Sequence, residues 1–305
     1  MAGTLQWWGP ADPCHDRPMT DRLTPADAGF LYIEDAGSPM HVGGVVILEP
    51  KGPFSYTDVV RLIDARLGLV PRYRQKVAFV PGRFARPVWV DDPDFDLTYH
   101  VRRSGLPKPG SDEQLAELVS RLVSRPLDRH HPLWELYVVE GLAGGRVALI
   151  NKTHLSMVDR VGAVDVAAAI LDITAEPRPL PGAPVWIPMP PPSEIDLVVD
   201  ALADIASRPG EIVDAVRLAS LDARTVIADI GQLAGGFVTL VHRAIRPAPR
   251  SPLDVAGSGG QRLFVAMTIE LDRIKEIRAA HGGTLNDVLV AVITGALRSF
   301  LLSRG

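Results

Sequence analysis

Residues 177–192 constrain the fold of this chain more than any other stretch, because eight of the sixteen are proline. Proline has no backbone N–H and pushes the preceding residue out of the helical region, so the run is neither helix nor central strand. It reads as an extended crossover. It divides a chain of 305 residues near the size at which one hydrophobic core gives way to two. Strands and helices alternate before it; after it come helical patterns and one strand-like run. That order argues for an α/β architecture of two domains. The expected parts are a disordered leader at 1–18, an N-terminal α/β domain at 19–176, a Pro-rich crossover with linking helices at 177–250, and the beginning of a second α/β domain at 251–305. The last part offers one strand, Leu263–Leu271, and two helices, Asp272–His281 and Asn286–Leu301. A lone strand needs a sheet to join, so this part reads as the start of a truncated domain.

The chemistry concentrates just before the crossover. Val147–Ile150 is a short apolar run suited to a buried strand. Lys152, Thr153, His154 and Asp159 follow, and from Val161 a helical spacing begins. A strand that carries polar groups into a loop before a helix is a rigid mount for reactive side chains. Around it, Thr24-Pro25-Ala26-Asp27 predicts a helix start. His41–Leu48 predicts a strand in which Gly43-Gly44 marks a bulge or a close backbone approach. Leu97–Val101 reads as a short strand, Ser111–Gln114 as a capping box opening a helix, and Trp134–Glu140 with Arg146–Lys152 as a hairpin.

Composition narrows the class. With 47% hydrophobic and 22% charged residues the chain is globular, and a net charge of −4 gives no electrostatic case for nucleic acid. The single cysteine, Cys14, excludes an internal disulfide and suits a reducing cytoplasm. No signal peptide is visible, and no apolar run approaches the roughly 18 residues that mark a transmembrane helix.

Several stretches together resemble the wax ester synthase/acyl-CoA:diacylglycerol acyltransferase family of bacteria, especially its actinobacterial members. They are Leu23–Phe30, Pro71–Lys76, Pro126–Glu135, Lys152-Thr153-His154 with Val158-Asp159, Ser251-Pro252-Leu253 and Asn286–Leu289. The resemblance covers nearly everything after Met19 and implies a fold similar to the CoA-dependent, chloramphenicol acetyltransferase-like enzymes: two similar α/β domains with a tunnel between them. It implies acyl transfer from acyl-CoA to diacylglycerol or a long-chain alcohol, with acyl-CoA as substrate and no metal or organic cofactor. It also implies cytoplasmic location with peripheral contact at the inner membrane face or lipid droplets. Because family members are longer, it implies a C-terminal half that a separate chain would have to supply.

The family's motif is His-His-x-x-x-Asp-Gly, whose second histidine is the general base. Aligned on Asp159, the first histidine is His154, the second falls on Leu155, and the glycine on Arg160. Leucine cannot accept a proton, and a general base contributes roughly 10²–10⁴-fold. His154 stands as the nearest substitute or as a structural histidine at a strand end, since adjacent strand residues face opposite ways. Asp159 reads as a helix cap or ion-pair partner beside its catalytic reading. Arg72 and Arg74 read as candidate contacts to CoA phosphates or as a solvated basic turn. Asn286 and Asp287 read as a helix N-terminus, which the resemblance places in the active-site floor. His130-His131 reads as a solvated turn, and Trp134 as core.

Overall fold

The computed structural model describes residues 21–35, 37–158, 186–207 and 260–304. The expectations for the leader, for Asp159 and Arg160, and for the helix from Val161 lie outside these residues. The chain divides into two compact units, 1–112 with 125–212, and 113–124 with 213–305.

The first unit is built on a four-stranded sheet. Its strands are β2 (His41–Leu48), β7 (Val147–His154), β6 (Trp134–Glu140) and β5 (Val101–Gly105), in the order β2-β7-β6-β5. The pairs β2–β7 and β6–β7 are antiparallel, and β5–β6 is parallel. The hairpin expected through residues 141–145 is the β6–β7 pair. A three-stranded sheet orders β1 (Asp21–Arg22), β4 (Val88–Asp91) and β3 (Gln75–Ala78) as β1-β4-β3.

β6 and β7 are buried on both faces, and one face of each builds the main core. Val147 and Leu149 of β7 join Trp134, Leu136 and Val138 of β6 and Val101 of β5, and helix α2 (Tyr56–Leu67) adds Ile63 and Leu67. Each such side chain contributes roughly 1.5–3 kcal/mol on burial. Trp134 is 1% exposed, donates its indole N–H to the Tyr73 carbonyl at 2.8 Å and stacks on His100 with ring centres 4.6 Å apart. It is core, as its sequence context suggested.

Helix α1 (Pro25–Ile33) starts as its sequence predicts. The Thr24 hydroxyl accepts the Asp27 N–H at 3.2 Å, and proline holds the first helical position. At Gly43-Gly44 the β2–β7 register runs unbroken from His41 to Leu48, so there is no bulge. The close approach is real instead: a Cβ on Gly44 would lie 2.7 Å from Asn151 Oδ1.

The expected strand at Leu97–Val101 is corrected. Asp96 caps a one-turn helix α3 (Leu97–His100), accepting the Thr98 N–H at 2.8 Å, and β5 begins only at Val101. The local hydrogen bond of an aspartate favours a turn over extension.

The polar side of the crossover is also visible. Met189 donates its N–H to Asp91 Oδ2 at 3.0 Å, and helix α5 (Glu194–Ser207) buries Leu197 with Val88 and Val90.

The second unit contains α4 (Asp112–Val123) from Glu113 onward, an irregular segment at 261–270, α6 (Leu271–His281) and α7 (Leu285–Ser303). The Ser124 and Ser120 hydroxyls each accept a backbone N–H at 2.8 Å, from Arg262 and Phe264 respectively. Leu263–Leu271 was expected as a strand. Residues 261–270 have no regular secondary structure and among the described residues pair with no strand, and Leu271 already begins α6. Gly282 and Gly283, with φ of 76° and 87°, turn the chain from α6 into α7. Helix α7 is 19 residues long with a hydropathy of 1.6, long and apolar enough to cross a membrane by length and composition. In the sequence Asn286, Asp287 and Arg298 interrupt the apolar run, so its length shows only once the helix is formed.

Candidate functional site

Strand β7 ends at His154, and the chain turns at once into a short 3₁₀ turn, Leu155–Met157. His154 is fully buried. Its Nδ1 accepts the Ser156 backbone N–H at 3.0 Å and lies 2.7 Å from the Ser156 hydroxyl. A backbone N–H can only donate, so Nδ1 is the unprotonated nitrogen and the neutral ring carries its proton on Nε2. That Nε2 faces Glu34 Oε2 at 3.5 Å, an ion-pair distance longer than a good hydrogen bond.

Glu34 follows the last residue of α1 and is held from three sides. Arg129 donates to its Oε2 from Nε at 3.1 Å and from Nη2 at 2.6 Å, and the Met40 N–H donates to Oε1 at 2.9 Å. Arg129 Nη2 also donates to the Leu31 carbonyl at 2.9 Å, tying this cluster to α1. The Met40 carbonyl accepts the Leu155 N–H at 2.9 Å. One residue of the β2 entry thus anchors both the carboxylate and the backbone at the motif.

Burial pushes the His154 pKa down to about 4, against the opposing charge of Glu34. For Glu34, burial pushes the carboxyl up, but the Arg129 and Met40 hydrogen bonds and the nearby positive charges bring it below its usual value. The result is a neutral histidine beside an ionised carboxylate, with both ring nitrogens turned into the protein. Such a ring is a poor proton acceptor for any bound hydroxyl. Leu155, at the position after it, is half-buried and carries no lone pair.

A second polar cluster lies on the same sheet face. Lys152 is 1% exposed, with Nζ 3.4 Å from Glu135 Oε2, and Tyr137 donates its hydroxyl to that oxygen at 2.9 Å. Arg102 Nη2 lies 3.3 Å from the other oxygen, Oε1. Burial lowers the Lys152 pKa against the pull of Glu135, and burial with the Glu135 charge pushes Tyr137 up to about 12.

The other sequence-predicted residues have separate places. Arg72 donates to Asp21 Oδ2 at 2.5 Å and to Gln75 Oε1 at 2.9 Å, and its guanidinium lies 4.5 Å from the Trp89 ring centre. Arg74 is buried, 3.8 Å from Asp64 and over the Trp186 ring. Asn286 is exposed, and Asp287 completes a capping box with Thr284 at the start of α7. His131 lies 3.8 Å from the buried Asp92 and against the Tyr99 ring; His130 is exposed. Among the described residues, no three His, Cys, Asp or Glu side chains gather as metal ligands.

Glu34 and Arg129 escaped the sequence reading. Arg129 sits in the Pro126–Glu135 stretch but looks like one more charge in a turn. Glu34 had no signal beyond being an acid just before a Gly-Ser-Pro turn.

Comparison with known proteins identifies relatives of this chain. Residues 23–289 match the model of the wax ester synthase/diacylglycerol acyltransferase catalytic domain. A probable diacylglycerol O-acyltransferase of Mycobacterium tuberculosis, tgs3, is 42% identical over 86% of this chain and 97% of its own length. A second from the same organism, tgs2, is 38% identical over 93% of this chain and 61% of its own length. A solved structure, the wax ester synthase/diacylglycerol acyltransferase from Marinobacter aquaeolei VT8, is 29% identical with a TM-score of 0.58, covering 93% of this chain and 61% of that one. The chain therefore spans nearly all of one relative and about three fifths of two others, and its α/β fold is similar to that of the Marinobacter enzyme. It belongs to the wax ester synthase/diacylglycerol acyltransferase family.

Proposed function

We propose that the chain is an acyl-CoA-dependent O-acyltransferase of the triacylglycerol and wax ester type, carrying an acyl group from acyl-CoA to diacylglycerol or a long-chain alcohol. The observation that carries this reading is the 42% identity, over nearly the whole of its length, to a relative named a probable diacylglycerol O-acyltransferase. The motif strand and its mount are intact, and His154 sits rigidly at the end of β7. The chemistry at the next position differs from the family pattern. With Leu155 in place of the base, the attacking hydroxyl loses its proton to water, and the rate rests on positioning donor and acceptor together. The exposed apolar side chains of α7, among them Ile293 and Leu302, support peripheral contact with a membrane or lipid-droplet surface.

The test is transfer of radiolabel from acyl-CoA to diacylglycerol and to a long-chain alcohol, with product above the enzyme-free control expected. A second reading is a non-catalytic lipid-binding relative or one subunit of a two-chain enzyme. It is favoured by the inward commitment of both His154 nitrogens. Intact acyl-CoA binding without any labelled product selects that reading.

A further inference from the structure

Two neighbouring cavities in the first unit, about 410 and 310 Å³, share Asp21, Pro71, Arg72 and Trp89 in their walls. Each is in the range of small-molecule sites, roughly 300–1,000 Å³. One runs back to Ser156 and Met157, directly after the motif histidine and Leu155. The other runs out beneath Met189, Pro190 and Pro192 of the proline-rich strap. The strap is fastened at Asp91 by the Met189 N–H, and α5 behind it is tied down by Arg22, 3.0 Å from Asp200 and 3.4 Å from Asp204. Arg72 stands at the shared wall, lying over Trp89 and paired with Asp21.

We propose that the two cavities are one cleft that binds the hydrocarbon chain of an uncharged long-chain alcohol, the acyl acceptor, with Arg72 as the gate between its halves. This rests on the acyltransferase reading and names the acceptor's place within it. Charge decides against the CoA end of the donor. The carboxylates of Asp21, Asp27 and Asp91 line the cleft beside the guanidiniums of Arg22 and Arg72. Both arginines are already engaged by aspartates. A polyphosphate entering here meets net negative charge and must break an ion pair to find a cation. A neutral chain meets Trp89, Met189, Pro190, Leu69 and Met157, apolar surface that favours hydrocarbon over water. The Arg72–Asp21 pair is partly solvent-exposed, 34% and 56% for the two side chains. Such pairs hold weakly, so the gate opens at little cost when a chain threads past it. An alcohol lying in the cleft brings its hydroxyl end toward Ser156 and Leu155.

The experiment is equilibrium binding of radiolabelled 1-hexadecanol, and separately of palmitoyl-CoA, to the full chain and three variants. Met189→Trp fills the outer half and Leu69→Trp the inner half; each should weaken hexadecanol binding roughly tenfold or more, as when a pocket excludes part of a chain. Palmitoyl-CoA binding should stay within about twofold of wild type. Arg72→Ala should bind hexadecanol at least as tightly as wild type. Melting curves check folding; Met189 is 52% exposed, so its variant carries the test if Leu69→Trp fails to fold. Unchanged hexadecanol binding in Met189→Trp overturns the proposal, as does weakened palmitoyl-CoA binding with hexadecanol unaffected. Hexadecanol binding that Met189→Trp abolishes, in a chain that transfers no acyl group, keeps the cleft and rejects the acyltransferase reading. Transfer to hexadecanol that Met189→Trp leaves untouched does the reverse.

Discussion

Strand β7 and the segment 263–269 share one sequence pattern and reach opposite ends. Both open on a run of consecutive apolar residues, Val147–Ile150 in one and Leu263–Met267 in the other. In β7, Val147 is 4% exposed and Leu149 7%, and Ala148 and Ile150 on the other face are 0% and 1%. In the second unit, Leu263 is 86% exposed, Val265 77%, Met267 77% and Ile269 40%. The difference is neighbours. β7 has β2 on one side and β6 on the other, and its edge groups are satisfied by both. The segment at 263 is anchored through Ser120 and Ser124 and, among the described residues, has no strand beside it. An apolar, β-branched run makes a segment able to enter a sheet; burial comes only when a partner supplies hydrogen bonds and a packed face.

Truncating one apolar residue in each segment tests the contrast directly. Leu149→Ala should cost about 2–5 kcal/mol in urea unfolding, whereas Leu263→Ala should stay within about 0.5 kcal/mol. Equal losses would mean that the 263–269 segment is packed in solution.

Acid should act on the first unit. Burial holds both His100 and His154 down at about 4. Between pH ~6.5 and ~4 the unfolded chain binds protons that the folded chain refuses, so stability falls as pH drops through this window and levels off below it. Each histidine should account for roughly 2–3 kcal/mol. Denaturant midpoints measured from pH 7.5 to 4 check this, and a flat profile would show that neither ring is buried neutral.

Glu34→Gln should cost roughly 2 kcal/mol, since it leaves the Arg129 charge without its carboxylate partner. It should also remove the charge that supports a protonated His154, moving that ring's titration further down. NMR titration of the His154 ring reads this, and an upward shift would contradict the assigned contact.

The smallest stability effect is expected from Leu263→Ser with Val265→Ser, within about 0.5 kcal/mol. The same double variant should bind less of a hydrophobic dye than wild type, because it removes two apolar side chains that are 86% and 77% exposed.

The elements legible in the sequence were those whose signals are local. The Thr24 cap and the β6–β7 hairpin each rest on a few consecutive residues. Leu97–Val101 failed because one local bond, from Asp96, overrode strand-like composition. The candidate site was half legible: His154 and Leu155 stand in the motif, but strand alternation does not relate them, because Leu155 already begins a 3₁₀ turn. Glu34 was not, because its link to Arg129 spans 95 residues and only the folded sheet brings α1, the β2 entry and β7 together. The 263–269 segment was misread for the same reason in reverse, since its pattern was right and its neighbours were not in the local sequence.

If the proposed acyl transfer runs at this site, position 155, and not the buried His154, decides proton transfer there. The direct measurement is the rate of acyl transfer from acyl-CoA to a long-chain alcohol by wild type and Leu155→His across pH 5–9. The account predicts a gain on the order of 10²–10⁴-fold in kcat for Leu155→His, with a new titration near the ordinary imidazole pKa of ~6.5 on its rising limb. A Leu155→His rate and pH profile indistinguishable from wild type, in a folded protein that binds both substrates, would contradict it.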